Sequence, residues 1–186
     1  MQYDTSTKFS SLTIFFHWVV GLTIIGLLAS GVYMSEAGVY TLYPWHKAIG
    51  FIILFFALAR VLWRMKNGWP TPLGDYSGFQ HGIASVVHWV LIISTVLMPV
   101  SGLVGSVIGG HGLSVFGLEI FAPNFSLDDP EKTLPINYEL SKAGAAVHHY
   151  LGYILIASVV LHVLGAYKHH IIDKDGTLKR MLGKRI

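Results

Sequence analysis

Histidines inside long apolar stretches are the residues of this sequence that could do chemistry. The chain has 186 residues, and His17, His46, His88, His148 and His162 all fall in or at the edge of segments rich in Leu, Ile, Val and Phe. A side chain that can ionise is costly inside a membrane and usually marks a functional site. Neutral imidazole nitrogens are also common axial ligands of haem iron. The histidines therefore indicate that a metal ion or a metal-containing cofactor binds within a membrane.

Two of these histidines lie on one face of the last apolar segment. His148 and His162 are 14 residues apart. At about 100° and 1.5 Å per residue, this spacing returns the side chain to within about 40° of its first direction, roughly 21 Å further along the helix. A zinc site would need its ligands at one level. The spacing instead suits two haems at different depths of a bilayer.

The composition indicates an integral membrane protein. The chain is 53% hydrophobic and only 12% charged, whereas soluble domains carry about 25% charged residues. Four apolar segments, near 12–34, 45–65, 83–108 and 143–167, reach the length of about 20 residues that crosses a bilayer core. We therefore predict an all-α, four-helix membrane bundle that forms a single domain over residues 1–186.

Cysteine content and charge placement restrict the function further. The sequence has no cysteine, which excludes disulfides, iron–sulfur clusters and covalently attached haem.

Of the 13 Lys and Arg residues, only Lys47, Lys132 and Lys142 lie in the segments on one side of the predicted membrane. The positive-inside rule then places the other side, with both termini, in the cytoplasm. We interpret the basic tail as a topology and lipid-contact feature and expect no nucleic-acid binding.

Antiparallel packing of the four segments pairs the histidines by depth. His17 and His162 lie near the cytoplasmic ends of their segments, and His46 and His148 lie near the outer ends of theirs. Each pair could give one iron both axial ligands, and a fully ligated iron favours electron transfer over oxygen binding. His88 lies at the cytoplasmic depth as well, so depth alone leaves either His17 or His88 as the partner of His162.

The other histidines have simpler interpretations. His149 adjoins His148 but is rotated from it by about 100° on the helix. A single histidine in a span is often a hydrogen-bonding group between helices, and the histidines at or beyond the membrane interfaces are expected to be ordinary polar residues. The roles of five stay open at this point, namely His81, His88, His111, His149 and His170.

Three stretches resemble the bacterial cytochrome b561 family, which includes the cytochrome b subunits of membrane hydrogenases and formate dehydrogenases. They are Phe16-His17-Trp18, Trp45-His46-Lys47-Ala48-Ile49-Gly50, and His169-His170 followed by Lys174-Asp175-Gly176-Thr177-Leu178-Lys179-Arg180-Met181. The short chain, this ending and the Pro70-Thr71-Pro72 stretch are similar to the small stand-alone branch of the family. The best-understood activity of that branch is superoxide:ubiquinone oxidoreductase.

The resemblance implies two haems b and their ligands. The family pattern matches His17 and His162 as ligands of the cytoplasmic-side iron, and His46 and His148 as ligands of the periplasmic-side iron. It thereby favours His17 over the alternative that depth left open. It also implies a quinone near the cytoplasmic haem, with His169 as its polar contact.

The function implied by the resemblance is a superoxide oxidase, a multi-pass protein of the bacterial cytoplasmic (inner) membrane. Superoxide or another small electron donor would react outside, where Lys47, Lys132 and Lys142 could attract an anion, and ubiquinone would accept the electrons. We expect Arg60 to contact a haem propionate or a lipid headgroup. A protein partner is possible but not required. The alternative is a cytochrome b anchor subunit between a hydrogenase- or dehydrogenase-type partner and the quinone pool.

Overall fold

Four long helices dominate the computed structural model, which describes residues 3–74 and 76–186. They are α1 (Ser11–Ala37), α2 (Tyr43–Asn67), α3 (Gly78–Val107) and α4 (Tyr138–Ile171), and a short α5 (Thr177–Met181) follows. Each of the four is long and apolar enough to cross a membrane, because a helix rises about 1.5 Å per residue and the hydrocarbon core is about 30 Å thick. The prediction of an all-α membrane bundle is confirmed.

Local sequence signals set where the helices begin. The side chains of Ser10 and Asn137 accept hydrogen bonds from backbone N–H groups in the first turns of α1 and α4. Ser77 and Gln80 form a reciprocal capping box at the start of α3, and Pro44 lies in the first turn of α2. These residues satisfy or remove N–H groups that a helix start leaves unpaired. α4 therefore begins well before the apolar segment at residue 143.

The bundle core is small and lies at mid-height. Val20 and Ile24 of α1, Ile53 of α2 and Leu155 of α4 form its buried cluster. Most other large apolar side chains lie on the outer surface of the helices, as expected where the surrounding solvent is lipid.

α3 and α4 approach each other closely where both carry glycine. A Cβ atom on Gly144 would lie 2.7 Å from Val104 Cγ1 and 2.8 Å from the backbone nitrogen of Gly105. Small residues at helix contacts in membranes allow the backbones to approach in this way. The close contact holds the first part of α4, including His148, against α3.

A short antiparallel hairpin follows α3, with β1 at Leu113–Val115 and β2 at Leu118–Phe121. The all-α prediction did not include this hairpin, because strands of three and four residues are too short to show a clear period. Trp45, at the start of α2, contacts Phe116 at the hairpin turn with ring centroids 5.5 Å apart. We call this side of the bundle the hairpin end.

The opposite side, which we call the terminal end, carries both chain termini and α5. Trp18 of α1 donates a hydrogen bond to the Met181 carbonyl at 3.0 Å. Arg180 is only 3% exposed and donates to the carbonyls of Ser6, at 3.0 Å, and Thr71, at 3.3 Å. The guanidinium of Arg180 thus joins the N-terminal segment to the α2–α3 connection. This part of the basic tail, which was predicted to contact lipid, instead forms a cap over the terminal end of the bundle.

Candidate functional site

His46 of α2 and His148 of α4 face each other near the hairpin end. Their ring centroids are 6.2 Å apart, and both side chains are partly buried. With a metal–nitrogen bond of about 2 Å, two imidazoles on opposite sides of one metal have ring centroids about 6 Å apart. The spacing of this pair therefore fits a metal bound between the two rings.

Hydrogen bonds select the tautomer of both rings. The hydroxyl of Ser30 donates to the Leu27 carbonyl at 2.9 Å, so its oxygen accepts from His46 Nδ1, 3.0 Å away. His148 Nδ1 donates to the Met98 carbonyl at 2.8 Å. A neutral imidazole carries one proton, so in both rings this network leaves Nε2 with a free lone pair. Such partners orient a metal-binding histidine and make it a better ligand.

A cavity of about 530 Å³ lies beside these two rings, within the range of roughly 300–1,000 Å³ usual for cofactor pockets. Its lining runs from Gly152 near the core to Glu36 and His111, which are exposed at the hairpin end. Gly102 also lines it, and a Cβ atom there would lie 2.8 Å from Cε1 of His148. Only glycine at position 102 leaves this histidine ring in place.

Three imidazoles meet near the terminal end. The ring centroids of His17 and His162 are 6.0 Å apart, and those of His88 and His162 are 5.3 Å apart. The structure thus brings together the predicted pair and also its competitor. By solvent accessibility His88 is exposed, whereas His17 is partly buried. This difference favours His17 as the inner partner, and the ligand roles of all four paired histidines stay predictions.

Arg60 lies near this level on α2. It lines a small cavity with Arg64 and Thr95. Arg64 pairs with Asp4, with 3.5 Å between guanidinium and carboxylate, whereas within residues 3–74 and 76–186 Arg60 has no carboxylate partner. Its guanidinium is therefore suited to an external anionic group, and its contact with a haem propionate or headgroup stays a prediction.

His169, the predicted quinone contact, lies at the end of α4 in a polar cluster. Its Nδ1 is 2.9 Å from Asp175 and 3.1 Å from Asp173, and its ring packs edge-on against Tyr76 with centroids 4.9 Å apart. The three ligand atoms lie within 4.8 Å of one another, close enough to hold a metal ion. However, Lys168 already binds both oxygens of Asp173, at 2.8 and 2.7 Å, so the group is an ion-paired cluster.

The three predicted anion-attracting lysines differ in position. Lys47 lines the hairpin-end cavity, but its ammonium donates to Ser106 Oγ at 3.2 Å and to the carbonyls of His111 at 3.2 Å and Gly112 at 2.9 Å. An ammonium has three donors, so none remains for a ligand. Lys142 lies over the Tyr138 ring at 5.9 Å. Lys47 can thus act on an anion through its charge only.

The sequence analysis missed the groups that orient the histidines. Ser30 and the Met98 carbonyl hold the hairpin-end rings, and Asp175 with Tyr76 holds His169. A serine within an apolar span was a usable signal, since it needs a polar partner there. A backbone carbonyl gives no sequence signal, and the α2–α3 connection that carries Tyr76 has no regular pattern.

A bundle of apolar helices with paired imidazoles on neighbouring helices defines a class: multi-pass membrane proteins that can bind metal groups between their helices. Within this class, the chain belongs to the prokaryotic cytochrome b561 family, whose family model matches residues 8–184. This membership identifies an electron-transfer protein of the bacterial inner membrane and implies that it binds haem b.

Curated relatives are similar over nearly the whole chain. Cytochrome b561 homolog 2 of Escherichia coli (strain K12) is 32% identical over 97% of this chain and 94% of that protein. The probable superoxide oxidase CybB of Yersinia pestis is 29% identical over 96% of this chain and 97% of that protein. Cytochrome b561 homolog 1 of E. coli (strain K12) is 26% identical over 96% and 98%, respectively.

The donor set fits haem b. The hairpin-end pair combines a spacing suited to a metal between two rings with unprotonated Nε2 atoms and an adjoining cavity. The sequence has no cysteine to attach haem covalently, which agrees with a b-type haem held by protein side chains alone.

Proposed function

We propose that the protein is a superoxide:ubiquinone oxidoreductase with two haems b. The hairpin end faces the periplasm and the terminal end faces the cytoplasm in this proposal. Charge supports the orientation, because of the thirteen Lys and Arg residues only Lys47, Lys132 and Lys142 belong to the hairpin end, and basic residues concentrate on the cytoplasmic side of membrane proteins. The name of one relative, a probable superoxide oxidase, supports the activity.

The observation that carries the proposal is the hairpin-end cavity. It connects the exposed side chains of Glu36 and His111 to the His46–His148 pair. A haem held by these rings would occupy this cavity, and a small anion could then approach it at the exposed mouth without a conformational change. The charge of Lys47 at the cavity mouth favours an anion there.

In this proposal the paired histidines hold the two cofactors. His46 and His148 would hold one haem, and His17 and His162 the other. When bound, the haems supply a one-electron path between the two ends. Two superoxide ions lose one electron each and leave as two O₂ molecules. Ubiquinone takes up the two electrons and two cytoplasmic protons to become ubiquinol, with His169 as its polar contact.

Rigid ligands suit this function. The hydrogen bonds from the two hairpin-end rings to Ser30 and to the Met98 carbonyl fix the rings on helices, so that electron transfer needs little rearrangement of the protein. A haem iron held by two histidines would have no free coordination position, and electron transfer alone needs none.

Anaerobic stopped-flow spectroscopy tests the proposal. A pulse of superoxide is mixed with the oxidised protein, and the b-haem absorbance is followed with and without ubiquinone-1. We expect fast haem reduction, and reoxidation only when the quinone is present. Superoxide dismutase in the syringe is the control and should abolish the reduction.

A different outcome would favour the anchor-subunit alternative. If dithionite reduces both haems but superoxide leaves them oxidised, superoxide is not the donor. A partner subunit of the hydrogenase or dehydrogenase type would then be the source of electrons. Reduction by superoxide without reoxidation by ubiquinone-1 would contradict the proposed acceptor.

A further inference from the structure

The polar cluster at the terminal end fixes one carboxylate from three sides. Asp175 Oδ1 accepts a hydrogen bond from the Thr177 backbone N–H at 2.8 Å. Its Oδ2 accepts from the hydroxyl of Tyr76 and lies 2.9 Å from His169 Nδ1. A carboxylate that accepts three hydrogen bonds from three directions cannot rotate freely. Asp175 is therefore a fixed acceptor for the His169 ring.

The charge states of this group agree with that role. Burial alone would raise the pKa of Asp175, but the hydrogen bonds from Tyr76 and Thr177 lower it below its ordinary value. Burial, together with the hydrogen bond to Asp175, raises the pKa of Tyr76 to about 12. At neutral pH Asp175 is thus an anion, and Tyr76 is a protonated donor to it.

A fixed anionic acceptor selects one tautomer of His169. Nδ1 must carry a proton to bond to Asp175, whether the ring is neutral or protonated. Nε2 is then the atom that gains and loses the exchangeable proton. The His169 side chain is 25% exposed, so part of the ring can be reached by a ligand from outside the cluster.

The position of His169 relates it to the terminal-end imidazoles. It follows His162 by seven residues on α4, which places it on nearly the same helix face and about 10 Å further toward the terminal end. A ligand bound at His169 would thus lie on the terminal side of the His17–His162 pair. This is the position that the proposed function requires for ubiquinone.

We propose that Asp175, held by Tyr76, is a positioning residue that directs Nε2 of His169 toward a quinone oxygen for proton delivery. The inference rests on the proposed function. Ubiquinone gains two electrons from the donor side. The quinone oxygen that faces His169 takes one proton from Nε2, the opposite oxygen takes one from cytoplasmic water, and the ring regains its proton from the cytoplasm. Breaking N–H and forming O–H leaves the neutral Nδ1–H tautomer, which Asp175 stabilises.

Asp173 is a matched control in the same cluster. Its Oδ2 lies 3.1 Å from His169 Nδ1, but both of its oxygens are bound by Lys168, and the residue is exposed. Asp173 therefore competes weakly for the ring. Replacing Asp173 removes a negative charge from the same place without removing the fixed acceptor.

The first experiment follows quinone reduction without superoxide. Protein reduced with stoichiometric dithionite is mixed anaerobically with ubiquinone-1, and haem reoxidation is timed. We expect Asp175→Asn to slow reoxidation by about 10- to 100-fold, as loss of an orienting partner does elsewhere. Tyr76→Phe should slow it less, Asp175→Glu should restore part of the rate, and Asp173→Asn should stay within about twofold of wild type. Haem reduction by superoxide at the hairpin end should not change.

The second experiment reads the tautomer directly. ¹⁵N NMR of histidine-labelled, detergent-solubilised protein, with His169→Gln to assign the signal, should show the Nδ1–H form in wild type and a mixed form in Asp175→Asn. Tyr76→Phe keeps the test decisive if Asp175→Asn does not fold. Equal reoxidation rates and an unchanged tautomer in a folded Asp175→Asn protein would overturn the inference alone. A wild-type protein that ubiquinone-1 leaves reduced would instead overturn the proposed acceptor.

Discussion

The two histidine sites of this protein are built in different ways. At the hairpin end, each ring of the His46–His148 pair is fixed by its own hydrogen bond, and the pair adjoins a cavity that reaches the surface. At the terminal end, a third imidazole, His88, lies 5.3 Å from His162. Polar and charged groups surround this end. In the proposed function, the first site accepts an electron and the second belongs to chemistry that also moves protons.

This difference follows from what each end must do in the proposed reaction. Superoxide gives up an electron and needs no proton, so rigid ligands and a cofactor cavity that reaches the surface are sufficient at the hairpin end. Quinone reduction consumes two protons. The terminal end accordingly carries His169 as the proposed proton donor, Asp175 and Tyr76 to hold it, and a cap joined by Arg180.

Removal of a paired histidine should have the largest effect. We expect His148→Ala to lose the hairpin-end haem, because the His148 ring, held by the Met98 carbonyl, is the one that faces His46, with 6.2 Å between the ring centroids. Haem content per chain should fall from two to one, measured by the pyridine haemochrome method. His149→Ala is the control, since its ring packs against Tyr153 instead, and it should retain both haems. Two haems in His148→Ala would show that the pairing is wrong.

The ambiguity at the terminal end can be resolved in the same way. We expect His17→Ala to lose one haem and His88→Ala to keep both, because His17 is partly buried whereas His88 is exposed. Reduced-minus-oxidised spectra of the two variants give the answer. The reverse result would make His88 the ligand in place of His17.

Loss of an orienting group should have an intermediate effect at the hairpin end. Ser30→Ala removes the acceptor of the His46 Nδ1 proton, and we expect haem retention there to weaken by about 10- to 100-fold. Transfer of haem to an excess of apomyoglobin measures it. Ser158→Ala is a matched control, since that hydroxyl also donates to a carbonyl of its own helix, that of Ile154, at 2.8 Å. Equal losses in both variants would mean that the effect is general destabilisation.

Acidification should have the smallest effect, confined to the terminal-end cap. Because the pKa of Asp175 is lowered in the folded protein, its carboxylate stabilises the cap above the ordinary value of about 4. That stabilisation is lost only as the pH falls through the lower, folded pKa. Hydrogen exchange of α5 should therefore be constant from pH 7 to 5, after correction for intrinsic rates, and increase below about 4. An increase already between pH 7 and 5 would assign the cap's stability to another group.

The fold was predictable because its signals are local and strong. Four apolar segments and the cap residues Ser10, Ser77 and Asn137 specify the helices with little help from tertiary contacts. The hairpin was not predictable, because its strands are held by pairing with each other and by packing near Trp45. Short strands carry too little periodicity to reveal such pairing.

The candidate site was predictable only in part. Antiparallel packing and a 14-residue spacing bring His148 and His162 to two levels, so the pairs follow from depth. The depth of a residue does not tell in which direction its side chain points around the helix axis. Depth therefore could not decide between His17 and His88. The Met98 carbonyl that holds His148 belongs to the backbone, which every residue has. Asp175 and Tyr76 are 99 residues apart, so only the tertiary fold brings them together.

The central claim is that each chain binds two haems, each between two histidines. The most direct measurement is haem quantification on the purified wild-type protein combined with low-temperature EPR of its oxidised form. We expect two haems b per chain, both low-spin, as two nitrogen ligands to each iron require. One haem per chain, or a high-spin signal of comparable intensity, would contradict the pairing of His46 with His148 and of His17 with His162.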